Sequence, residues 1–330
     1  MPDHDCVLYT FAVNRPDFLP LQVACFRRFL AERARFVVFN NGSEESARHA
    51  NERACEGLDV ELAPGTAQGA REPSERHARA IEAACALMAR QPEPLGAIVD
   101  SDLFLLAPLS LRGLLDGHAI AARKDRRRHV RYLAPAGVMV FDIAAVPNID
   151  TLDFSPEVVD GVGTDVGGAL HRYLRIHPEI GVRDLPYSGH IHRRNRNLAV
   201  LPASVRDSYE DGFFMEVFAR TFLHFAGGTN WNRAPAAVLA RKEVFFDALV
   251  RARLAGETDW PGSAHAHHAT DLWSTRSYPA HTTPFTKVFP DGRVRETGGP
   301  HRDVIKRVAL HPVLQRKLPR LARWVRGGYF

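Results

Sequence analysis

Cysteine is scarce in this chain. The four present, Cys6, Cys25, Cys55 and Cys85, lie toward the N-terminus with neither the CxxC spacing of a zinc site nor the density of a disulfide framework. That excludes a small stapled scaffold and leaves reduced, buried thiols as the expectation. Long apolar runs are missing too: no window reaches the roughly 18 to 20 residues that a membrane-spanning helix needs. The opening stretch has two early acids and no basic segment leading into an apolar run, so no secretory signal is read there and the expected location is the cytoplasm. Lysine is rare, nearly all basic residues being arginine, and the formal net charge is only +5 over 330 residues. A balance that small does not indicate nucleic acid as a partner. No internal repeat is present.

What is there has the composition of a globular protein, 45% hydrophobic and 25% charged, with enough chain for one large α/β domain and an appendage. Val7 to Val13 and Phe36 to Phe39 are short apolar runs that read as buried strands, and Leu21 to Leu30 between them has helix formers. Asn40-Asn41-Gly42-Ser43 is a turn signal closing this β-α-β start. A polar stretch, Glu44 to Arg71, holds one strand candidate, Leu58 to Leu62, and Ser74 caps a helix expected to reach Arg90. Gly96 to Val99 is the next strand, followed by the apolar run Leu103 to Leu106. Further on come a strand at His118 to Ala122, a basic loop at Arg123 to Arg131, a strand at Val138 to Phe141, and a helix from about Thr164. The strand-like Phe222 to Phe225 runs into a glycine pair, and Ala236 to Leu254 reads as helix behind Pro235. The alternation predicts a mostly parallel, Rossmann-like sheet flanked by helices. A boundary near Arg233 separates residues 1–233 from a helical and irregular extension, 234–330.

That extension ends in a basic amphipathic segment. Lys306, Arg307, Arg316, Lys317, Arg320, Arg323 and Arg326 stand among Val308, Leu310, Leu314, Leu318, Leu321 and Trp324 with no acid between 304 and 326. A helix packed on the domain with a solvated basic face is expected, and peripheral membrane contact through 304–326 is the alternative. His265, His267, His268 and Asp271 crowd seven residues but have no helical ligand register, and are read as loop.

Chemistry is expected at Asp100-Ser101-Asp102. Ligands of open parallel α/β sheets bind beyond the carboxyl ends of the strands, and two carboxylates there converge on one hard cation, Mg²⁺ or Mn²⁺, that keeps positions open for phosphate oxygens. Such a tripeptide also occurs as ordinary turn capping. A second motif joins it: His224-Phe225-Ala226-Gly227-Gly228-Thr229-Asn230-Trp231. Together they resemble the GT-A glycosyltransferases, especially the family 8-like enzymes whose late motif reads His-Phe-x-Gly-x-x-Lys-Pro-Trp, over roughly residues 5 to 231. Asn230 falls where that motif has lysine, the proline is missing, and Pro135-Ala136 precedes Gly137-Val138 where the family often has asparagine.

The resemblance implies a metal-dependent transferase moving a hexosyl group from a nucleotide sugar, a UDP-sugar first among the donors, to a hydroxyl acceptor. It implies Asp100, Asp102 and His224 as metal ligands, and Phe11, Asn14, His77, Ser101, Gly137, Gly227, Gly228 and Asn230 as the donor's surroundings. Asp165 is implied as the carboxylate that contacts the donor sugar or deprotonates the acceptor. Each has a plainer reading beside it: Phe11 as core, His77 as an exposed residue of a first helical turn, Asp165 as a helix N-terminal acid. The competing functions are a catalytically silent relative that binds glycan or membrane, and a sugar-phosphate nucleotidyltransferase. An N-terminal glycine-rich phosphate loop, which the latter needs, is lacking.

Overall fold

The computed structural model describes residues 3–66, 73–127, 130–159, 162–185, 187–191, 197–228, 235–262, 285–288 and 294–297. Asn230, Trp231, the histidine-rich segment and the basic tail lie outside the described residues. In chain order the first half forms β1 (Cys6–Ala12), α1 (Phe18–Phe29), β2 (Ala34–Asn40), α2 (Glu45–Cys55), β3 (Glu61–Pro64), α3 (Pro73–Met88), β4 (Leu95–Val99), β5 (Leu103–Leu105) and α4 (Leu111–Leu115). The second half forms β6 (Ile120–Arg127), β7 (Val130–Asp142), β8 (Val158–Val159), β9 (Val162–Gly163), α5 (Leu170–Ile176), β10 (Val182–Asp184), β11 (Tyr187–His190), β12 (Glu216–Phe218), β13 (Phe222–His224) and α6 (Ala236–Ala255), then β14 (Phe285–Val288) and β15 (Val294–Thr297).

Seven strands build the main sheet in the order β10-β6-β7-β4-β1-β2-β3. β1 pairs parallel with both β2 and β4, β2 with β3 and β10 with β6, while β7 runs antiparallel to β4 and β6. Every residue of the central β1 is buried, as a strand covered on both faces requires. Its side chains alternate: Val7, Tyr9 and Phe11 join the core under α3, whereas Cys6 and Leu8 join the core under α1 with Val23 and Phe26. The result is a mixed, mostly parallel sheet between helices. Gly96 of β4 lets α3 lie close, because a Cβ there would come within 2.6 Å of the Met88 sulfur.

A second, antiparallel sheet has the order β11-β12-β13-β5. Its core gathers Phe104 of β5, Leu223 of β13, Phe18 of α1, and Phe246, Leu249 and Val250 of α6. The chain therefore leaves the first sheet at Val99, turns through Asp100-Ser101-Asp102, and enters the second at Leu103.

Four expectations are corrected. The stretch after Glu44 contains a helix, α2, which buries only Asn51 and so carries no apolar stripe for the sequence to show. The strand expected at Leu58 to Leu62 sits a few residues later, as β3. Arg123 to Arg131 is no loop, since β6 and β7 stay paired out to Arg127 and Val130, with a register shift between Ala122 and Arg123. The helix expected from Thr164 begins only at Leu170: Gly167 sits at φ +89° with its Cβ position 2.0 Å from the Leu133 carbonyl oxygen, a tight left-handed turn that a helix cannot contain. Asp165 precedes that turn and is not a helix N-terminal acid. Its Oδ1 accepts from the Val166 N–H at 2.9 Å.

Candidate metal centre

The turn between the two sheets is pinned by its backbone. Asp100 N–H donates to the Gly137 carbonyl at 2.9 Å and Leu103 N–H returns to the Asp100 carbonyl at 3.0 Å. Gln22, buried on α1, reaches across with Nε2 to donate to the carbonyls of Asp100 at 2.7 Å and Leu103 at 2.9 Å. Pairing of β13 with β5 then sets His224 directly opposite Leu103. One register thus carries the late histidine to the two acids, and among the described residues Asp100, Asp102 and His224 bring one ligand atom each to within 4.8 Å of one another.

Each of the three is oriented by a neighbour. Asp100 Oδ2 accepts from the Gly137 N–H at 2.7 Å, where Gly137 takes a φ of +88°. Asp102 Oδ2 accepts from the Gly228 N–H at 3.0 Å. His224 donates through Nδ1 to Glu216 Oε2 at 2.7 Å and turns Nε2 to Asp102 Oδ1 at 3.1 Å, so the carboxylate behind the ring fixes which nitrogen faces the cluster. Burial works against the charged imidazolium, but Asp102 and Glu216 outweigh it and raise His224 to about 10. Burial likewise works against the Asp102 carboxylate, yet His224, the Gly228 N–H and Lys242 pull it down to about 2. Asp100 is pushed upward by burial, with Asp102 adding to the shift.

These groups fit a hard cation. Asp100 Oδ1 is buried without a hydrogen-bond partner; His77 Nε2 stands 3.3 Å from it, outside hydrogen-bond geometry. That buried, unsatisfied carboxylate oxygen is the coordination a metal would complete. His224 Nε2 and Asp102 Oδ1 face each other at 3.1 Å, so both are turned toward the cluster.

The remaining expected residues are distributed as follows. His77, on α3, meets Asp100 and lies edge-on to the Phe11 ring at 5.6 Å. Phe11 is buried and stacked on Phe39, and Asn14 binds the turn beyond β2, its Oδ1 accepting from the Ser43 hydroxyl at 3.0 Å. Ser101 is the middle of the acidic turn, and Gly227 sits at φ +76° just ahead of Gly228. Asp165 is not among the converging ligands. Sequence reading missed Glu216, Gln22 and Lys242. The first had one available signal, an acid inside the strand-like run Met215 to Phe218.

Fold and site together define an α/β protein with a two-carboxylate, one-imidazole centre at the carboxyl end of β4. No family model matches the chain, and no curated protein matches it. Among solved structures it is similar to an active-site mutant of LgtC, with 17% identity and a TM-score of 0.30 over 42% of this chain and 57% of that one. It is also similar to the galactosyltransferase LgtC in complex with donor and acceptor sugar analogues, with 16% identity and a TM-score of 0.29 over 42% of this chain and 58% of that one. The chain thus spans less than two thirds of those structures. Likeness at this level leaves the chemistry to be read from the site's own residues.

Proposed function

We propose that this chain is a metal-dependent glycosyltransferase that moves a sugar, in the simplest case a hexosyl group, from a nucleotide sugar to a hydroxyl acceptor. The observation that carries the reading is the convergence of Asp100, Asp102 and His224 at the end of a parallel strand, with one carboxylate oxygen left unsatisfied. In this reading those three hold Mn²⁺ or Mg²⁺, and the bound ion supplies charge that offsets the negative charge building on the departing diphosphate. Gly137 and Gly228 aim the carboxylates through their N–H groups. Glu216 holds the imidazole, and the His77 ring stands beside Asp100 with Nε2 at 3.3 Å. Asn14, Ser101, Gly227 and Asn230 are assigned to the nucleotide sugar's surroundings, and Asp165 to the donor sugar or acceptor hydroxyl. The division near Arg233, a cytoplasmic location and membrane contact through 304–326 belong to the same proposal; no helix among the described residues is long and apolar enough to cross a membrane.

A thermal-shift screen of UDP-, GDP-, ADP- and CMP-linked sugars, with and without Mn²⁺, tests it on the native chain and on Asp102→Ala. Stabilisation by one nucleotide class that needs the metal and disappears in the variant is expected. An absence of any shift would favour a binding or scaffold role.

A further inference from the structure

Among the described residues Lys242 is the one buried lysine, and nothing in the reading above uses it. It sits in α6, and among the described residues its hydrogen bonds go to backbone oxygens: Nζ donates to the carbonyls of Phe225, of Ala226 at 2.8 Å and of Phe214 at 3.5 Å. It also lies 3.8 Å from the centroid of the Phe225 ring, a cation–π contact away from water. Burial lowers Lys242 to about 7, with Asp102 and Glu216 holding it up against that pull.

The carbonyls it gathers belong to an unusual turn. Directly after His224, Ala226 adopts a φ of +30° and Gly227 one of +76°. A left-handed conformation is costly for alanine, so this backbone persists only where its surroundings hold it. The turn's polar groups face different partners, the Gly228 carbonyl accepting from Arg15 Nη1 at 3.5 Å. The turn's N–H groups serve Asp102, Phe225 N–H meeting the Asp102 carbonyl at 2.8 Å and Gly228 N–H meeting the carboxylate at 3.0 Å. Its buried carbonyls at Phe225 and Ala226 are taken by Lys242, and removing that donor leaves them without a partner in a buried place.

We propose that Lys242 is a positioning residue for the metal centre, its N–H donors tying the Phe225 and Ala226 carbonyls of the turn to the Phe214 carbonyl so that Asp102 and His224 are presented together. The inference rests on the metal-site reading above. Lysine offers three donors, glutamine two on a shorter arm, and methionine none in a similar volume; a clamp made of hydrogen bonds therefore predicts a graded series.

Mn²⁺ is titrated into the full chain and into Lys242→Gln and Lys242→Met, free ion being followed by electron paramagnetic resonance, with melting of each metal-free protein recorded in parallel. Affinity is expected to fall several-fold in Lys242→Gln and roughly 10- to 100-fold in Lys242→Met, the range for residues that orient metal ligands, in protein that still melts cooperatively without metal. Native affinity in the folded variants would overturn the proposal, because a purely structural lysine changes melting and not the affinity of the folded fraction. Equal losses in both variants would overturn it as well, since charge alone would then be the cause. If Lys242→Met fails to fold, Lys242→Gln decides by itself: unchanged affinity sinks the clamp. A native chain that binds no Mn²⁺ would instead remove the metal-site reading on which the inference stands.

Discussion

Asp102 is held on three sides, by His224, by the Gly228 N–H and through its own carbonyl by Phe225, and that crowding makes single atoms matter. A Cβ at Gly228 would lie 2.8 Å from the Asp102 Cβ and 2.9 Å from its Oδ2. Gly228→Ala is therefore expected to cost about 1–3 kcal/mol, read by urea denaturation, and to weaken Mn²⁺ binding in titration. Glu216→Gln removes the charge behind the imidazole while keeping its shape; Mn²⁺ affinity is expected to fall at least about 10-fold, and metal-free melting to fall as well because a buried charge pair is broken. The acids and the late histidine were legible because each stands in a short recognisable motif. Glu216 was not: it lies eight positions before His224 and becomes its neighbour only through the pairing of β12 with β13. Gln22 and Lys242 have no local signal at all, since each acts on backbone atoms of a distant turn.

Elements announced by apolar runs were read within a few residues, β1, β2, β4 and α6 among them. Those organised by polar atoms were not. α2 has one buried side chain, Asn51, whose Nδ2 donates to the carbonyls of Ala12 and Val13 and to Asn40 Oδ1 at 3.0 to 3.2 Å. It ties the ends of β1 and β2 together below Asn14. Asn51→Leu, similar in size, takes the donor from the Val13 carbonyl and Asn40 Oδ1, the Ala12 carbonyl keeping the Asn41 N–H at 2.8 Å, and is expected to destabilise by about 1–3 kcal/mol in denaturant unfolding. A pH-dependent case sits at the opposite end of the sheet, where Glu93, buried, receives Arg35 Nε at 2.8 Å. Burial pushes Glu93 up, but Arg35 together with a backbone hydrogen bond outweighs it and the carboxyl lies below its ordinary value. A depressed acid contributes stability above the ordinary glutamate range and loses it as pH falls through the lowered value. Glu93→Gln should therefore cost about 2 kcal/mol near neutrality, and the gap between native and variant should narrow in acid; unfolding curves at the two pH values check this.

Across the whole molecule, the second sheet is bound to α1 and α6 by aromatic packing that sequence periodicity did not reveal. Phe246 of α6 lies 4.5 Å from Phe104, 5.1 Å from Phe225 and 5.4 Å from Phe18 between ring centroids, joining helix, sheet and the residue after His224. Phe246→Ala is expected to cost about 3–5 kcal/mol, with Mn²⁺ binding lost in parallel because the same ring supports Phe225. Fold class followed from the alternation of strand and helix, but this second layer depends on short strands far apart in the chain, whose partners no local pattern names.

The separation of Asp102 and His224 by 122 positions has a consequence in time. At ordinary ribosomal speeds the acidic turn is made about 6 to 24 s before the histidine exists, and it waits as a pair of like charges with no imidazole between them. The complete ligand set appears only once β13 has been synthesised and has found β5. The cation would then be a late passenger that locks sheets already paired rather than a seed around which the first of them folds.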